Sequence, residues 1–408
     1  MLIKRIIIFN DYAYVFGGAS KVAIDSAVEL AKRGYDVTFF SGTGPESDLL
    51  AENNIKSICL NQPDMLSDKS KLQAAIRSAW NQRAYKETIK LLRDFDKKNT
   101  LIIVHGYAKT LSTSIFSAFK KTNYEVIVTL HDYFSACPNG GFYIYPKHKN
   151  CDVEPMSLSC LKCNCDVRNY PQKLYRYVRQ LFIRHNLKGN QKNMHAINVS
   201  NLSGRLMKPY IRHYFSSYDT LLNPVDVYMG EYVNITENKK YLYIGRLSQE
   251  KGIKDFCEVI TELQLEGIVL GDGYLMDKLK DAYPNIEFVG WSDKKKKDEY
   301  AKQAKCLIFP SLLHETFGLT ITEMLSYGIP CIMPEGCGAS SLIQDGVNGY
   351  KYPMGDYNAL KACVKKYEES DLTLFQYSTR NSFVRKDYSV ETYIDKLLNL
   401  VEGLNNNR

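Results

Sequence analysis

The sequence predicts an α/β protein of two doubly wound domains. Three observations point there: 408 residues, short apolar strands alternating with helical segments in both halves, and a mixed polar stretch near residue 230 between them. At this length a single core stops growing and chains divide. A hydrophobic content of 45% with 24% charged residues describes an ordinary globular protein and excludes disordered or fibrous classes. No apolar run reaches the roughly 18 residues of a bilayer-spanning segment.

The elements follow in order. Ile6-Ile-Ile-Phe9 is a buried strand, and Gly17-Gly18 lie in the loop after it. Val22, Ala23, Ala27 and Leu30 then recur at helical spacing, and Gly34 stands where a helix ends in a left-handed residue. Val37–Phe40 completes a β-α-β unit, with further strands expected at Leu101–Val104, Val126–Leu130, Ala196–Val199 and Thr220–Leu222. The alternation resumes at Tyr241, after a linker running from Asn223-Pro-Val-Asp226 to Asn238. The expected domains are residues 1–225, with a cysteine-rich insertion at 137–165, and residues 226–392, followed by a helix over 393–408. Sheets of this kind bind ligands at the carboxyl ends of their strands, which are expected to face a shared cleft. Met1-Leu-Ile-Lys-Arg with Ile6–Phe9 is too short for an export signal, so the cytoplasm is the expected home and the eleven cysteines are expected as thiols or metal ligands.

Charge is unevenly divided. Through residue 225 there are 31 Lys and Arg against 18 Asp and Glu; the remainder has 22 against 27. No acidic residue falls between Asp166 and Asp219. A basic half suits an anionic partner. No nucleic-acid motif accompanies it, so a nucleic-acid partner is not expected.

Pro310 to Glu323 holds the densest chemistry. Cys306–Phe309 is a strand ending at Pro310, and a helix begins near Gly318. Glu315 therefore lies on the loop, the amides of Phe317, Gly318 and Leu319 crown a helix N-terminus, and Glu323 lies within the helix. Unpaired amides and the positive dipole end favour an anion there, while carboxylates accept from hydroxyls. A phosphorylated, hydroxyl-rich ligand fits. The plainer reading is a solvated loop acid and a surface helix acid.

The stretch Glu315-x7-Glu323 with Phe317-Gly318 inside it resembles the signature of the retaining glycosyltransferases of family four, the glycosyl transferases group 1, which have the GT-B fold. Tyr241–Arg246 followed by Glu250-Lys251-Gly252, the turn Gly271-Asp272-Gly273 after Ile268–Leu270, and the segment Gly336–Gly349 match further family motifs in the same order. The resemblance covers most of 241–350 strongly and 1–42 loosely. It implies two Rossmann-like domains and a nucleotide-diphosphate sugar, UDP- or GDP-linked, as donor. Arg246 and Lys251 would then meet the donor diphosphate, Glu323 the ribose and Glu315 the sugar. Gly271-Asp272-Gly273 would let the backbone approach the nucleotide. It also implies that His131, in His131-Asp132 after the strand Val126–Leu130, lies near the transferred sugar, and that the terminal helix crosses back onto the first domain. A loop histidine and solvated cations are the plainer readings of the same residues. Gly17-Gly18 lacks the dinucleotide Gly-x-Gly-x-x-Gly pattern; it either lets the loop pass close to a donor phosphate or an acceptor, or simply turns the chain.

Cys137-x13-Cys151-x8-Cys160-x2-Cys163-x-Cys165 places five thiols in a loop-rich insertion. Four of them could hold a structural zinc, with an iron–sulfur cluster or reduced, partly buried thiols as the alternatives; similar insertions occur in some members of the family. Behind them, Lys173–Lys188 is expected as a helix with Leu174, Tyr177, Val178, Leu181 and Phe182 on one face and Arg176, Arg179 and Arg184 off it. That pattern suits an anionic membrane surface, or else a core-facing helix with a solvated basic side.

The resulting expectation is a hexosyltransferase acting in the synthesis of a bacterial surface polysaccharide of lipopolysaccharide, O-antigen or capsule type, on a carbohydrate or lipid-linked oligosaccharide acceptor, as a cytoplasmic or peripheral membrane protein. No catalytic metal is expected, since no Asp-x-Asp pair is evident and cations already serve the phosphates. Two other classes share some of these features. A GT-B phosphorylase or epimerase would depend on phosphate or turn over without acceptor, and a zinc-bearing polysaccharide- or membrane-binding adaptor would bind without turnover.

Overall fold

The computed structural model describes residues 3–64, 67–189 and 191–406. Met1 and Leu2, on which part of the export reading rests, and Asn407 and Arg408, the end of the expected terminal helix, lie outside the described residues. The chain divides into two compact units. The first comprises residues 1–142, 152–224 and 390–408, and the second 143–151 and 225–389.

Up to residue 220 the strands are β1 (Arg5–Tyr12), β2 (Asp36–Thr43), β3 (Lys56–Cys59), β4 (Thr100–Val104), β5 (Glu125–Leu130), β6 (Tyr143–Ile144), β7 (Lys149–Asn150), β8 (Met194–Asn198) and β9 (Ser217–Thr220). Seven of them form the sheet of the first unit, in the order β3-β2-β1-β4-β5-β8-β9, with every pairing parallel. The isoleucine run explains the centre. Its side chains alternate between faces, Ile7 and Phe9 into one core and Ile6 and Ile8 into the other, as a strand covered on both sides requires. The helix Gly18–Lys32 buries Val22, Ala23, Ala27 and Leu30 in the second of these cores. The terminal helix Val390–Asn406 adds Tyr393, Ile394, Leu397 and Val401 to it and is tied by Arg33, which donates to Asp395 at 2.6 Å and to the Glu391 carbonyl at 2.8 Å. The edge strand β3 went unseen in the sequence because its four residues are only partly covered, and β9 ends where the expected Thr220–Leu222 strand begins.

The second unit holds β10 (Lys240–Ile244), β11 (Glu266–Leu270), β12 (Ile286–Gly290), β13 (Ala304–Ile308), β14 (Cys331–Pro334) and β15 (Gly349–Tyr352), all parallel in the order β12-β11-β10-β13-β14-β15. The hairpin β6–β7 belongs to this unit. Asn150 Nδ2 donates to the Leu312 carbonyl at 3.1 Å, on the loop after β13. In both sheets strand order reverses between the first strand and its right-hand neighbour, β1/β4 and β10/β13, which is where ligands of such sheets bind.

Candidate active site

Two loops of the second unit are fastened together at the β10/β13 reversal. Gly252 has φ +68°, and a Cβ built on it would lie 1.8 Å from the Pro310 carbonyl oxygen, so only glycine lets the loop after β10 touch the loop after β13. The Leu312 N–H donates to the Glu250 carbonyl at 2.9 Å beside it. Tyr243, kept protonated because burial raises its phenol well above the ordinary range, donates to the Arg246 carbonyl at 3.0 Å. Ser248 Oγ donates to the buried Glu250 carboxylate at 2.8 Å. The backbone bearing Arg246 and Lys251 is thus held by contacts within the unit itself.

On that frame Lys251 Nζ donates to Glu315 Oε1, which also accepts from Ser311 Oγ at 2.8 Å. Glu315 sits on the loop and Glu323 within the helix Leu319–Tyr327, where Lys297 Nζ donates to it at 2.8 Å. Gly318 caps the helix at φ +108°, Phe317 is buried and Leu319 opens the helix. Alongside lies a cavity of about 390 Å³ at the carboxyl ends of β10, β11 and β12. Arg246, Gly271, Asp272, Trp291 and Lys297 line it. A Cβ on Gly271, φ +140°, would fall 1.9 Å from the Gly245 carbonyl oxygen, so this turn too is packed against the β10 loop. Gly273 continues the turn, its N–H donating to Asp272 Oδ1 at 2.7 Å. Arg246 has 66% of its side chain exposed and stands 3.8 Å from the Glu250 carboxylate.

Trp291 and Lys297 escaped the sequence reading. Lys297 is the last of four consecutive lysines, a run that reads as a solvated face, and only folding shows that this one turns inward to Glu323. Trp291 is one of two tryptophans in the chain and is 75% exposed, an exposed ring at a cavity mouth.

In the first unit Gly17 is exposed, extended (φ 170°) and has nothing within 4 Å of a built Cβ, so the fold does not require glycine there. Gly18 opens the helix. His131 follows β5, with Nε2 2.9 Å from Nδ1 of His105, a partner the sequence did not suggest. Burial lowers the His131 pKa to about 3 and that of His105 well below the ordinary value, so both rings are neutral at physiological pH. Asp11 fastens the loop after β4 to β1 by accepting the N–H groups of Lys109, Thr110 and Leu111 at 3.0, 2.8 and 3.0 Å.

The cysteines do not form the expected zinc cage. Among the described residues no group of three or more His, Cys, Asp or Glu is placed to hold a metal ion. Cys151 belongs to the second unit and the other four to the first. Lys173 is fully buried among the latter and donates to Cys160 Sγ at 3.2 Å. Burial lowers its pKa, but the Cys165 and Cys160 sulfurs more than offset this, and the net shift is upward. A buried ammonium where a divalent cation would have to go opposes it by charge, so these residues do not fit the metal.

The helix behind them, Tyr170–Leu187, is capped by Asn169 and inverts the core-facing reading. Lys173, Arg179, Gln180 and Asn186 are buried, whereas Leu174, Val178, Leu181 and Phe182 are 38–53% exposed. Tyr177, partly covered, donates to the Met156 carbonyl at 2.8 Å.

Comparison with known proteins matches residues 228–389 to the family Glycosyl transferases group 1. The lipopolysaccharide 1,6-galactosyltransferase of Escherichia coli K12 is 30% identical over 146 residues, 32% of this chain and 40% of that protein. The UDP-Gal:alpha-D-GlcNAc-diphosphoundecaprenol alpha-1,3-galactosyltransferase of Escherichia coli is 26% identical over 181 residues, 39% and 46% of the two chains. The chain thus spans less than half the length of these curated relatives. Among solved structures, Anabaena Alr3699/HepE in complex with UDP and glucose superposes with a TM-score of 0.67 at 15% identity, over 98% of this chain and 99% of that one. Sucrose-phosphate synthase from Thermosynechococcus elongatus gives 0.70 at 16% identity, over 99% and 100%. The expected GT-B fold, two Rossmann-like α/β domains, is borne out.

Proposed function

We propose that this GT-B protein is a retaining glycosyltransferase of hexosyltransferase type. It would move a sugar from a UDP- or GDP-sugar to a carbohydrate acceptor, lipid-linked, in surface-polysaccharide synthesis. One observation carries the reading: Arg246 and Lys297 line the cavity of the second unit, Lys297 pairs there with Glu323, and Lys251, on the loop that bears Arg246, pairs with Glu315.

Arg246 and Lys251 would neutralise the donor diphosphate, whose charge grows as the bond from the anomeric carbon to phosphate oxygen breaks and its electron pair stays on the phosphate. The acceptor hydroxyl oxygen bonds to the anomeric carbon on the same face, and its proton passes to the departing phosphate oxygen. In this scheme Glu315 takes sugar hydroxyls and positions rather than attacks, and Lys251, already bonded to it, links sugar and phosphate binding. Glu323 takes the ribose diol, held in place by Lys297. The amide end of the helix at Gly318–Leu319 adds a further positive field, and the exposed Trp291 ring gives the base a face to stack on. Gly17, exposed and open, lets a ligand approach the loop backbone. The neutral His131 ring would offer a sugar hydroxyl a hydrogen bond without adding charge.

The outward stripe Leu174, Val178, Leu181 and Phe182, in a stretch without acidic residues, supports docking on the anionic inner face of a membrane. Among the described residues no helix is long and apolar enough to cross one.

The test is thermal melting against UDP-, GDP- and ADP-sugars, where a ligand at 100 times its Kd adds about 2.7 kcal/mol. One nucleotide class should raise the melting temperature, and Arg246→Ala and Glu323→Ala should each remove the shift without unfolding the protein. Unchanged donor response in both variants would sink the site assignment. Response to no nucleotide sugar would leave the reading without its donor.

A further inference from the structure

The first unit has a second cavity, about 170 Å³, at the carboxyl ends of β1, β4 and β5. Its walls are Tyr12 at the end of β1, Phe16 from the loop after it and Phe134 from the loop after β5. Its charge is supplied by Lys109, Arg168, Arg176 and Arg179.

Arg179 is the anomaly. It is 4% exposed, yet among the described residues only one of its hydrogen bonds is made, to the Ala108 carbonyl at 3.3 Å. Its Nε and Nη2 are buried without a partner among the described residues, and the guanidinium stacks on Phe134 at 4.9 Å. A buried charged fork left with open donors costs the fold stability, and a group bound in the cavity would offset that cost. Lys109 Nζ stands 4.7 Å over the Phe16 ring and 5.5 Å over Tyr12, with no carboxylate in ion-pair distance among the described residues. Arg176 does have a partner, Asp166 at 2.9 Å, which holds it. Besides Asp166, and Asp11, which accepts the Lys109 backbone N–H at 3.0 Å, two further acids stand against these cations. Asp64, in the lining, accepts from Tyr12 and Ser67. Asp132 accepts the Phe134 N–H at 2.9 Å, and its field reaches Lys109 and Arg179. The lining itself carries four cations against Asp64, and an arginine fork with open N–H groups matches phosphate oxygens. The helix that supplies Arg176 and Arg179 is the one that turns Leu174, Val178 and Leu181 outward, so one element offers donors for an anion and an apolar surface for a chain.

We propose that this cavity binds the phosphate of the acceptor, a diphosphate joining the carbohydrate to a lipid, with Arg179 as its principal ligand and Lys109 and Arg168 beside it. This rests on the glycosyltransferase reading for the word acceptor, but the anion site itself does not.

The experiment is calorimetric titration of the full chain with geranyl diphosphate, geraniol and inorganic pyrophosphate. Wild type, Arg179→Met and Lys251→Ala are compared, with melting of each and the nucleotide-sugar panel alongside. Geranyl diphosphate should bind more tightly than pyrophosphate, and geraniol should not bind. Arg179→Met should weaken geranyl diphosphate at least about tenfold while melting no lower than wild type, because its open donors are gone, and it should keep any nucleotide-sugar response. Lys251→Ala should leave geranyl diphosphate binding intact. Binding lost in Lys251→Ala and kept in Arg179→Met, or a lower melting temperature for Arg179→Met, would overturn the inference and leave the donor reading untouched. Equal binding of pyrophosphate and geranyl diphosphate would uphold the anion site and overturn its lipid source. Binding at Arg179 with no nucleotide-sugar response would uphold the site and sink the glycosyltransferase reading instead.

Discussion

Replacing Gly252 by alanine should disable the second unit by parting two loops. The built Cβ lies 1.8 Å from the Pro310 carbonyl oxygen, and real Cβ contacts essentially never fall under 3.0 Å, so the loops must separate by 1.2 Å or more. At φ +68° alanine also carries a left-handed penalty of about 1–2 kcal/mol, and overpacking costs a further 1–3 kcal/mol or so. A loss of about 3 kcal/mol in a unit of this size lowers its melting by roughly 6–12 °C. The same parting strains the Leu312–Glu250 bond and draws Lys251 from Glu315. Misplacement of about 1 Å can cost on the order of a hundredfold in rate. Scanning calorimetry of the full chain is the assay, with Gly17→Ala as control. Nothing lies within 4 Å of a Cβ there and the backbone is extended, so that variant should melt within about 2 °C of wild type. Gly252→Ala melting equally close to wild type would refute the close approach and, with it, the account of how Lys251 is held.

Leu181→Asp with Phe182→Asp should abolish co-sedimentation with anionic vesicles and leave melting unchanged, since both side chains are already exposed; retained binding would remove the stripe as a membrane surface. His105 and His131 stay neutral when folded but take protons when unfolded below about pH 6.5. Their contribution is therefore present above that pH and lost as pH falls toward the folded value, about 3 for His131, by up to about 1.4 kcal/mol per pH unit each. His131→Gln should accordingly lose less melting temperature between pH 7 and pH 5 than wild type, and parallel curves would contradict this. Purified protein should carry well under one zinc per chain, and Lys173→Met should destabilise it by removing the Cys160 bond; stoichiometric zinc would reverse the reading of the cysteine group.

Much of the fold could be read locally. Ile6–Phe9 had to be a doubly covered strand because four consecutive large apolar side chains alternate faces, and both faces need a core. Gly34 ends its helix at φ +87° as its position implied. Glu315 and Glu323 fell on loop and helix as expected, because a strand end, a Pro and a Gly bound that segment within a dozen residues. Partnerships across long separations were not legible: Lys297 with Glu323, His105 with His131, and Gly252 against Pro310 each join residues 26 to 58 positions apart. The helix Tyr170–Leu187 shows the limit most plainly. Its periodicity defined an apolar and a basic face, but periodicity carries no sign. Only the packed first unit decided that Arg179 and Lys173 go inward and Leu174, Val178 and Leu181 outward. Spacing likewise brought five thiols into one insertion, and a lysine delivered from the next helix, 13 residues beyond Cys160, decided what stands beside Cys160. The sequence alone determined the elements and the residue types at the strand ends, because propensity and hydrophobic period act over a few neighbours. The tertiary structure alone decided which charges meet, because Coulomb and hydrogen-bond energies depend on distances that the chain sets only when it closes on itself.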